Sequence, residues 1–248
     1  VALPFNEIEA TESLINLHGE SLACIMIDLM PQTLSMVSPS EEYLQALVRL
    51  TRQHGILLAF DEVISFRLGY SGGQGMFGID PDITSIGKII GGGFPVGAVA
   101  GRKDIMSVFE PQDGQSPRLP HGGTFNANPI TMTAGKAALQ DMDKDKFDQL
   151  NAAGNQLRRQ VKEIITELDI AAQVTGKGSL FAVRFHDRPM RHFADIVIGE
   201  EESLFMDKLR RYLIGNGIWL GGNMAGCLST PTTQAHIDKF CQELKAGI

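Results

Sequence analysis

An amphipathic helix pattern lies between two short apolar runs near the start of the chain. Residues 22–30 (LACIMIDLM) are almost continuously apolar, as expected for a strand buried on both faces. Residues 39–55 combine two glutamates in the first turn, an apolar face that includes Leu44 and Leu47, and a terminal glycine. Residues 56–60 (ILLAF) form the second apolar run. Strand, helix and strand at this spacing predict a right-handed βαβ unit and therefore a parallel sheet.

Charged residues directly follow two of the predicted strands. Asp61 comes after residues 56–60, and Lys88 comes after a strand predicted at 83–87. Three glycines, Gly91–Gly93, follow the lysine. An unpaired charge is costly in a protein interior, so a carboxylate and an amine at strand ends, beside a glycine-rich turn, indicate a functional site.

The composition argues against several classes of protein. With 43% hydrophobic and 21% charged residues, the chain has the composition of a soluble globular protein. Its net charge of -7 disfavours a nucleic-acid partner, and no apolar run is long enough to span a membrane. Three scattered cysteines provide no disulfide framework, so we expect buried or half-buried free thiols and a cytoplasmic protein. No HExxH pattern occurs, and we expect no metal site.

The character of the sequence changes near residue 141. Before this point, small residues predict a helix at 130–142 that can pack closely, either within the chain or against another chain. After it, the patterns predict helices at 145–168, 203–214 and 233–246, and strands at 179–185 and 218–220. We therefore predict two domains, one over residues 1–141 with a mainly parallel sheet and a small α+β domain over residues 142–248.

A short motif within a glycine-rich segment suggests a hydrolase. Residues 69–73 (GYSGG) match the G-x-S-x-G pattern of serine hydrolases. A nucleophile elbow needs a strand before the serine, here Ser71, and a helix after it. The glycines of residues 69–78 are poor helix formers and predict a loop. A serine hydrolase that uses Ser71 is therefore the less favoured alternative.

A lysine and a carboxylate at neighbouring strand ends also suit pyridoxal phosphate (PLP) chemistry. A PLP enzyme needs a lysine that forms a Schiff base with the cofactor and a carboxylate that keeps the pyridine nitrogen protonated. Lys88 and Asp61 would supply these groups, and Val63, on the same side of the strand as Asp61, would pack against the ring. On spacing alone, a surface lysine and a solvated turn stay open as alternatives.

Three ordered motifs resemble those of a known family. They are FDEV at 60–63, PDITSIGKIIGGGFPVGAVAGR at 81–102, and HGGTFNANP at 121–129. In this order they resemble class III (subgroup II) aminotransferases, which are PLP enzymes of fold type I, and within them the glutamate-1-semialdehyde 2,1-aminomutase-like proteins. The resemblance implies an α/β fold with a large PLP-binding domain and a small C-terminal α+β domain.

The resemblance also implies roles for four residues. Lys88 becomes the lysine that forms the Schiff base, Asp61 the partner of the pyridine nitrogen, and Val63 the residue that packs against the ring. Thr124 becomes a phosphate ligand that reaches into the site of a second subunit, which implies a homodimer. The expected reaction is amino-group transfer on a small amino or keto substrate, by a transaminase or an aminomutase.

The sequence departs from the family pattern in several places. Asp28 stands where the family has a longer glutamate, Thr232 replaces a histidine, and Asn126-Ala127 replaces Ser-Gly. These differences favour a relative of the aminomutase over the aminomutase itself. The chain is also short for the family, so residues 1–141 would be the second half of the PLP-binding domain. We expect weak PLP binding and little turnover, and an inactive fragment or dimer-forming pseudoenzyme is the alternative.

Overall fold

A computed structural model describes residues 1–111 and 114–248. The chain divides into two compact units. The first unit contains residues 8–29 and 41–144, and the second contains residues 1–7, 30–40 and 145–248. The predicted domains, residues 1–141 and 142–248, stay a prediction. In the part of the chain that is described, no helix is both long and apolar enough to cross a membrane.

The first unit is built on a four-stranded mixed sheet. Helix α1 (Ile8–His18) precedes it, and the strands are β1 (Cys24–Asp28), β2 (Leu57–Asp61), β3 (Ile83–Gly87) and β4 (Gly97–Gly101), in that spatial order. Strands β1, β2 and β3 are parallel, whereas β4 runs antiparallel to β3. Helix α2 (Glu41–His54) connects β1 to β2. The predicted order of strand, helix and parallel strand is confirmed, and the right-handed crossover stays a prediction.

Helix α2 forms because its sequence has residues suited to both helix ends and an apolar face that can be buried. Its first turn carries two glutamates, which favour the positive end of the helix dipole. Leu44, Leu47 and Leu50 are almost completely buried on its inner face. Gly55 ends the helix with a φ of 67°, a left-handed conformation that glycine adopts at little cost. The chain then enters β2, whose residues 58–60 are buried.

The prediction that β1 is buried on both faces is wrong. Ile25 and Ile27 are buried, whereas Cys24 and Met26 are exposed. This alternation is that of a strand covered on one face. An apolar run shows that a strand can be buried but not what lies against each face. The prediction that the thiols are buried or half-buried is wrong for Cys24 and Cys227, which are exposed.

The predicted loop at residues 69–78 contains a short helix, α3 (Gly72–Phe77). The glycines are helical here because the side chain of Glu62 accepts hydrogen bonds from the first amides of the helix. Residues 65–68 before it form a 3₁₀ turn and not a strand. The elbow geometry that the hydrolase alternative requires is therefore not present around Ser71.

Glycines allow a turn and a helix to approach closely in the first unit. After β4 come the short helix α4 (Lys103–Met106) and the small-residue helix α5 (Pro129–Asp141). Helix α5 packs on the 3₁₀ turn Lys88–Gly91. A Cβ at Gly135 would lie closer than 3.0 Å to the Ile90 carbonyl oxygen, and a Cβ at Gly92 would meet the backbone of α5 in the same way. The close packing predicted for this helix is confirmed.

The second unit contains a three-stranded antiparallel sheet and three long helices. They are α6 (Lys144–Glu167), β5 (Gln173–Thr175), β6 (Leu180–Arg184), α7 (Glu200–Gly215), β7 (Ala225–Cys227) and α8 (Gln234–Gly247), with sheet order β5-β6-β7. The strand predicted at 218–220 is wrong. A turn in which the Gly221 amide donates to the Ala225 carbonyl instead places residues 225–227 against β6.

Candidate active site

Asp61 and Lys88 lie at the same edge of the sheet in the first unit. Asp61 is the last residue of β2 and pairs in register with Ser85 of β3. Lys88 directly follows Gly87, the last residue of β3. Because β2 and β3 are parallel neighbours, both residues stand at the carboxyl ends of their strands, where ligands bind in open α/β sheets. Asp28, at the end of β1, pairs with Asp61 in the same row.

The Asp61 carboxylate is held through one of its two oxygens. Its Oδ1 accepts a hydrogen bond from the Val63 amide at 3.0 Å and from the Ser85 hydroxyl at 3.3 Å. Its Oδ2 has no hydrogen-bond partner within residues 1–111 and 114–248. The side chain is half-buried. The carboxylate is thus fixed in orientation and has one oxygen available for a donor outside the described chain.

Lys88 has an unusual backbone conformation. Its φ is 49°, in the left-handed region, which costs an L-residue about 1 kcal/mol or more. Its side chain is exposed, and the described residues provide no ion pair to its amine. Strained backbone is common at functional sites, where the surrounding structure maintains it. Here the packing of the Lys88–Gly91 turn against α5 supplies that constraint.

Val63 lies beyond the end of β2, in the turn that follows Asp61. The prediction that Val63 projects from the strand on the same side as Asp61 is wrong, because the strand ends at Asp61. A Cβ at Gly87 would lie 3.5 Å from both Val63 methyl groups. The Val63 side chain therefore lies against the backbone of the residue just before Lys88. The Val63 side chain and the two charged groups therefore share this edge of the sheet.

Glu62 is the residue at this site whose position the sequence did not reveal. Its side chain is completely buried. Its carboxylate accepts hydrogen bonds from the amides of Gly73 and Gln74 and from the Ser65 hydroxyl. Burial raises the pKa of the Glu62 carboxyl, and these hydrogen bonds offset part of that rise. The available signal was the Gly72-Gly73 pair, since a Cβ at either position would lie 2.9 Å from a Glu62 oxygen.

Thr124 stands apart from this group in the described contacts. It is exposed and lies in a turn in which the Asn126 amide donates to the Gly123 carbonyl. Asn128 then caps α5 through its side-chain oxygen, which accepts from the amides of Ile130 and Thr131. No described contact joins Thr124 to the other predicted site residues, and its role stays a prediction.

The fold and the comparisons together define the class of protein. The mixed sheet and its helices are those of a fold type I PLP-dependent transferase, and the solved structures that the chain resembles include transaminases. More specifically, the model of the class III aminotransferase family matches residues 4–246. The chain belongs to the class III aminotransferase family.

Individual relatives agree with this assignment. The chain is 36% identical to a glutamate-1-semialdehyde 2,1-aminomutase of Sulfurihydrogenibium azorense, over 99% of this chain and 57% of the relative. Among solved structures, an omega-transaminase from Sphaerobacter thermophilus is 45% identical with a TM-score of 0.96, over 100% of this chain and 56% of that one. A transaminase with PLP bound is 34% identical with a TM-score of 0.90, over the same shares. The chain thus spans little more than half the length of these proteins.

Proposed function

We propose that this chain carries the lysine and the ring-nitrogen carboxylate of a PLP-dependent amino-group transfer enzyme. The observation that supports this most directly is the position of Asp61 and Lys88 at the carboxyl ends of two neighbouring parallel strands. The donor set fits the cofactor. PLP needs a carboxylate acceptor for its ring nitrogen and an amine for its aldehyde, and Asp61 Oδ2 and Lys88 Nζ are both without partners in the described chain.

When bound, PLP supplies an electron sink for the carbon that carries the substrate amino group. Asp61 would accept a hydrogen bond from the protonated ring nitrogen at Oδ2, while its Oδ1 stays fixed by two donors. Lys88 would hold the cofactor covalently through Nζ as a Schiff base. When Nζ carries no bond to the cofactor, the same nitrogen would accept and return a proton. The Val63 methyl groups would exclude water from one face of the ring.

We propose a transaminase that uses a keto-acid acceptor, with an aminomutase as the second candidate. The chain is 45% identical to the Sphaerobacter omega-transaminase and 36% identical to the Sulfurihydrogenibium aminomutase. The departures at Asp28 and Thr232 also favour a relative of the aminomutase over the enzyme itself. Activity on an amino donor that requires an added keto acid would support the transaminase. Isomerisation of a single amino substrate without an acceptor would support the aminomutase.

The remaining parts of the proposal concern assembly and location. We propose a homodimer in which Thr124 binds the cofactor phosphate in the site of the second subunit. Residues 1–141 would belong to the PLP-binding domain and residues 142–248 to the small domain. Exposed free thiols at Cys24 and Cys227 fit a reducing compartment, and we propose a cytoplasmic protein.

Borohydride reduction after incubation with PLP tests the lysine assignment. We expect a phosphopyridoxyl group on the peptide that contains Lys88. The variant K88A should lose this label. As a matched control, K136A removes another exposed lysine of the same unit and should keep it. Equal labelling of many lysines, in both variants as in the wild type, would refute the assignment.

A further inference from the structure

Glu62 is a buried carboxylate that the proposed chemistry does not use. An ionisable side chain that is fully buried is costly unless hydrogen bonds satisfy it. Glu62 is satisfied, because its Oε1 accepts from the Gln74 amide at 2.9 Å and its Oε2 accepts from the Gly73 amide and from the Ser65 hydroxyl at 3.3 Å. The side chain therefore ties the turn after β2 to the first turn of α3.

The backbone of Glu62 is tied to the opposite side, to β3. Its amide donates to the Ser85 carbonyl at 2.8 Å, which continues the β2–β3 pairing one residue beyond Asp61. The Ser85 hydroxyl and the Val63 amide are the two donors that hold Asp61 Oδ1. The first donor, the Val63 amide, belongs to the residue that follows Glu62. The second donor, the Ser85 hydroxyl, belongs to the residue whose carbonyl accepts the hydrogen bond from the Glu62 amide.

We infer that Glu62 is a positioning residue for Asp61, which fixes the two donors to Oδ1 so that Oδ2 faces the ring nitrogen of the cofactor. This inference rests on the proposed function. Glu62 itself touches neither cofactor nor substrate. It acts through the turn formed by residues 62–65. Its carboxylate bonds Ser65, at the C-terminal end of this turn, and also the first amides of α3. Gly72 and Gly73 are needed for this arrangement, because a side chain at either position would displace the Glu62 carboxylate.

The variant E62Q removes this anchor with little change of shape. A carboxylate only accepts hydrogen bonds, whereas a glutamine amide would point an NH₂ group at one of the donors, the amide of Gly73 or Gln74. The turn would then shift, and Val63 would no longer hold Oδ1 in place. We expect the pH midpoint at which the bound ring nitrogen loses its proton to fall by about one unit. The variant S65A removes only the hydroxyl donor and should give a smaller shift of the same sign.

The measurement is the ¹⁵N chemical shift of PLP labelled at the ring nitrogen, recorded against pH on the reconstituted chain. The variant D61N, which removes the proposed ring partner, defines the full effect. The variant T51V is the control, because it removes another buried hydrogen bond of the first unit, from the Thr51 hydroxyl to the Leu47 carbonyl at 2.8 Å. Thermal unfolding of each variant reports its stability separately.

Lower midpoints in E62Q and S65A, with T51V equal to the wild type, would support the inference. If the pH midpoint in E62Q and in S65A equals that of the wild type, the inference is overturned, whether or not these variants lose stability. Glu62 would then have a structural role only. If E62Q does not fold, S65A decides alone. A wild-type midpoint in D61N would instead overturn the proposed function, and this inference would fall with it.

Discussion

The variant G135A tests whether α5 and the turn that carries Lys88 are in direct backbone contact. Gly135 is buried in the middle of α5. A Cβ at this position would lie 3.1 Å from the Ile90 carbonyl carbon, 3.4 Å from the Gly91 Cα, and closer than 3.0 Å to the Ile90 oxygen. All three atoms are backbone, so no side chain can rotate away and the helix or the turn must move.

The size of the effect follows from two opposing terms. Alanine is favoured over glycine inside a helix by about 1 kcal/mol. Overpacking against backbone costs about 3 kcal/mol, the upper part of the usual range, because the neighbour cannot relax by changing rotamer. We therefore expect G135A to lower the unfolding free energy by about 2 kcal/mol, which corresponds to a Tm about 4–8 °C lower in a chain of this length.

Thermal and urea unfolding followed by circular dichroism measure this difference. G97A is the matched control, because a Cβ at Gly97 meets no atom within 4 Å and the backbone there has no positive φ. We expect G97A to stay within about 0.5 kcal/mol of the wild type. Helix propensity alone predicts the opposite sign for G135A. If G135A is as stable as the wild type or more stable, the close contact with Ile90 is wrong.

Three further predictions concern a buried acid, the thiols and a second close approach. Burial raises the pKa of the Glu62 carboxyl, so its contribution to stability is full below the ordinary carboxyl pKa of about 4 and is lost as the pH rises above it. Urea unfolding over a pH series should show the wild type losing stability relative to E62Q as the pH rises, and a constant difference would contradict this. Burial raises the pKa of the Cys241 thiol to about 11, so iodoacetamide at about pH 8 should label the exposed Cys227 before Cys241. Peptide mapping measures both labelling rates, and equal rates would contradict this prediction. In the second unit, G154A should lower the Tm because its Cβ would overlap the Gly178 carbonyl oxygen, and an unchanged Tm would exclude that contact.

The sequence predicted those elements of the fold whose pattern is local. The helix at 41–54 was predictable because its charges, apolar face and terminal glycine all agree. The strand at 225–227 was not, because a turn between Gly221 and Ala225 selects it over the more apolar residues 218–220. Turn geometry of this kind depends on backbone hydrogen bonds that side-chain patterns do not reveal.

Prediction of the site had a similar limit. Asp61 and Lys88 could be found because each directly follows an apolar strand, and parallel pairing then brings strand ends to one edge. Glu62 could not be assigned, because two of its partners are backbone amides 11 and 12 residues further along the chain. Three of the six residues of the short helix that offers these amides are glycines, and local propensity assigns this segment to a loop.

Asp61 and Lys88 are held at the sheet edge by different interactions, so different substitutions should impair them. Asp61 is oriented by hydrogen bonds that depend on a buried carboxylate, so its support varies with pH and with the polarity of Glu62. The backbone of Lys88 is held by packing of the Lys88–Gly91 turn on α5, which requires that Gly92 and Gly135 carry no Cβ. Changes to the first support should therefore alter the protonation of the ring nitrogen and leave the lysine in place. Changes to the second should slow the reaction of Lys88 with PLP while the ring nitrogen keeps its acceptor.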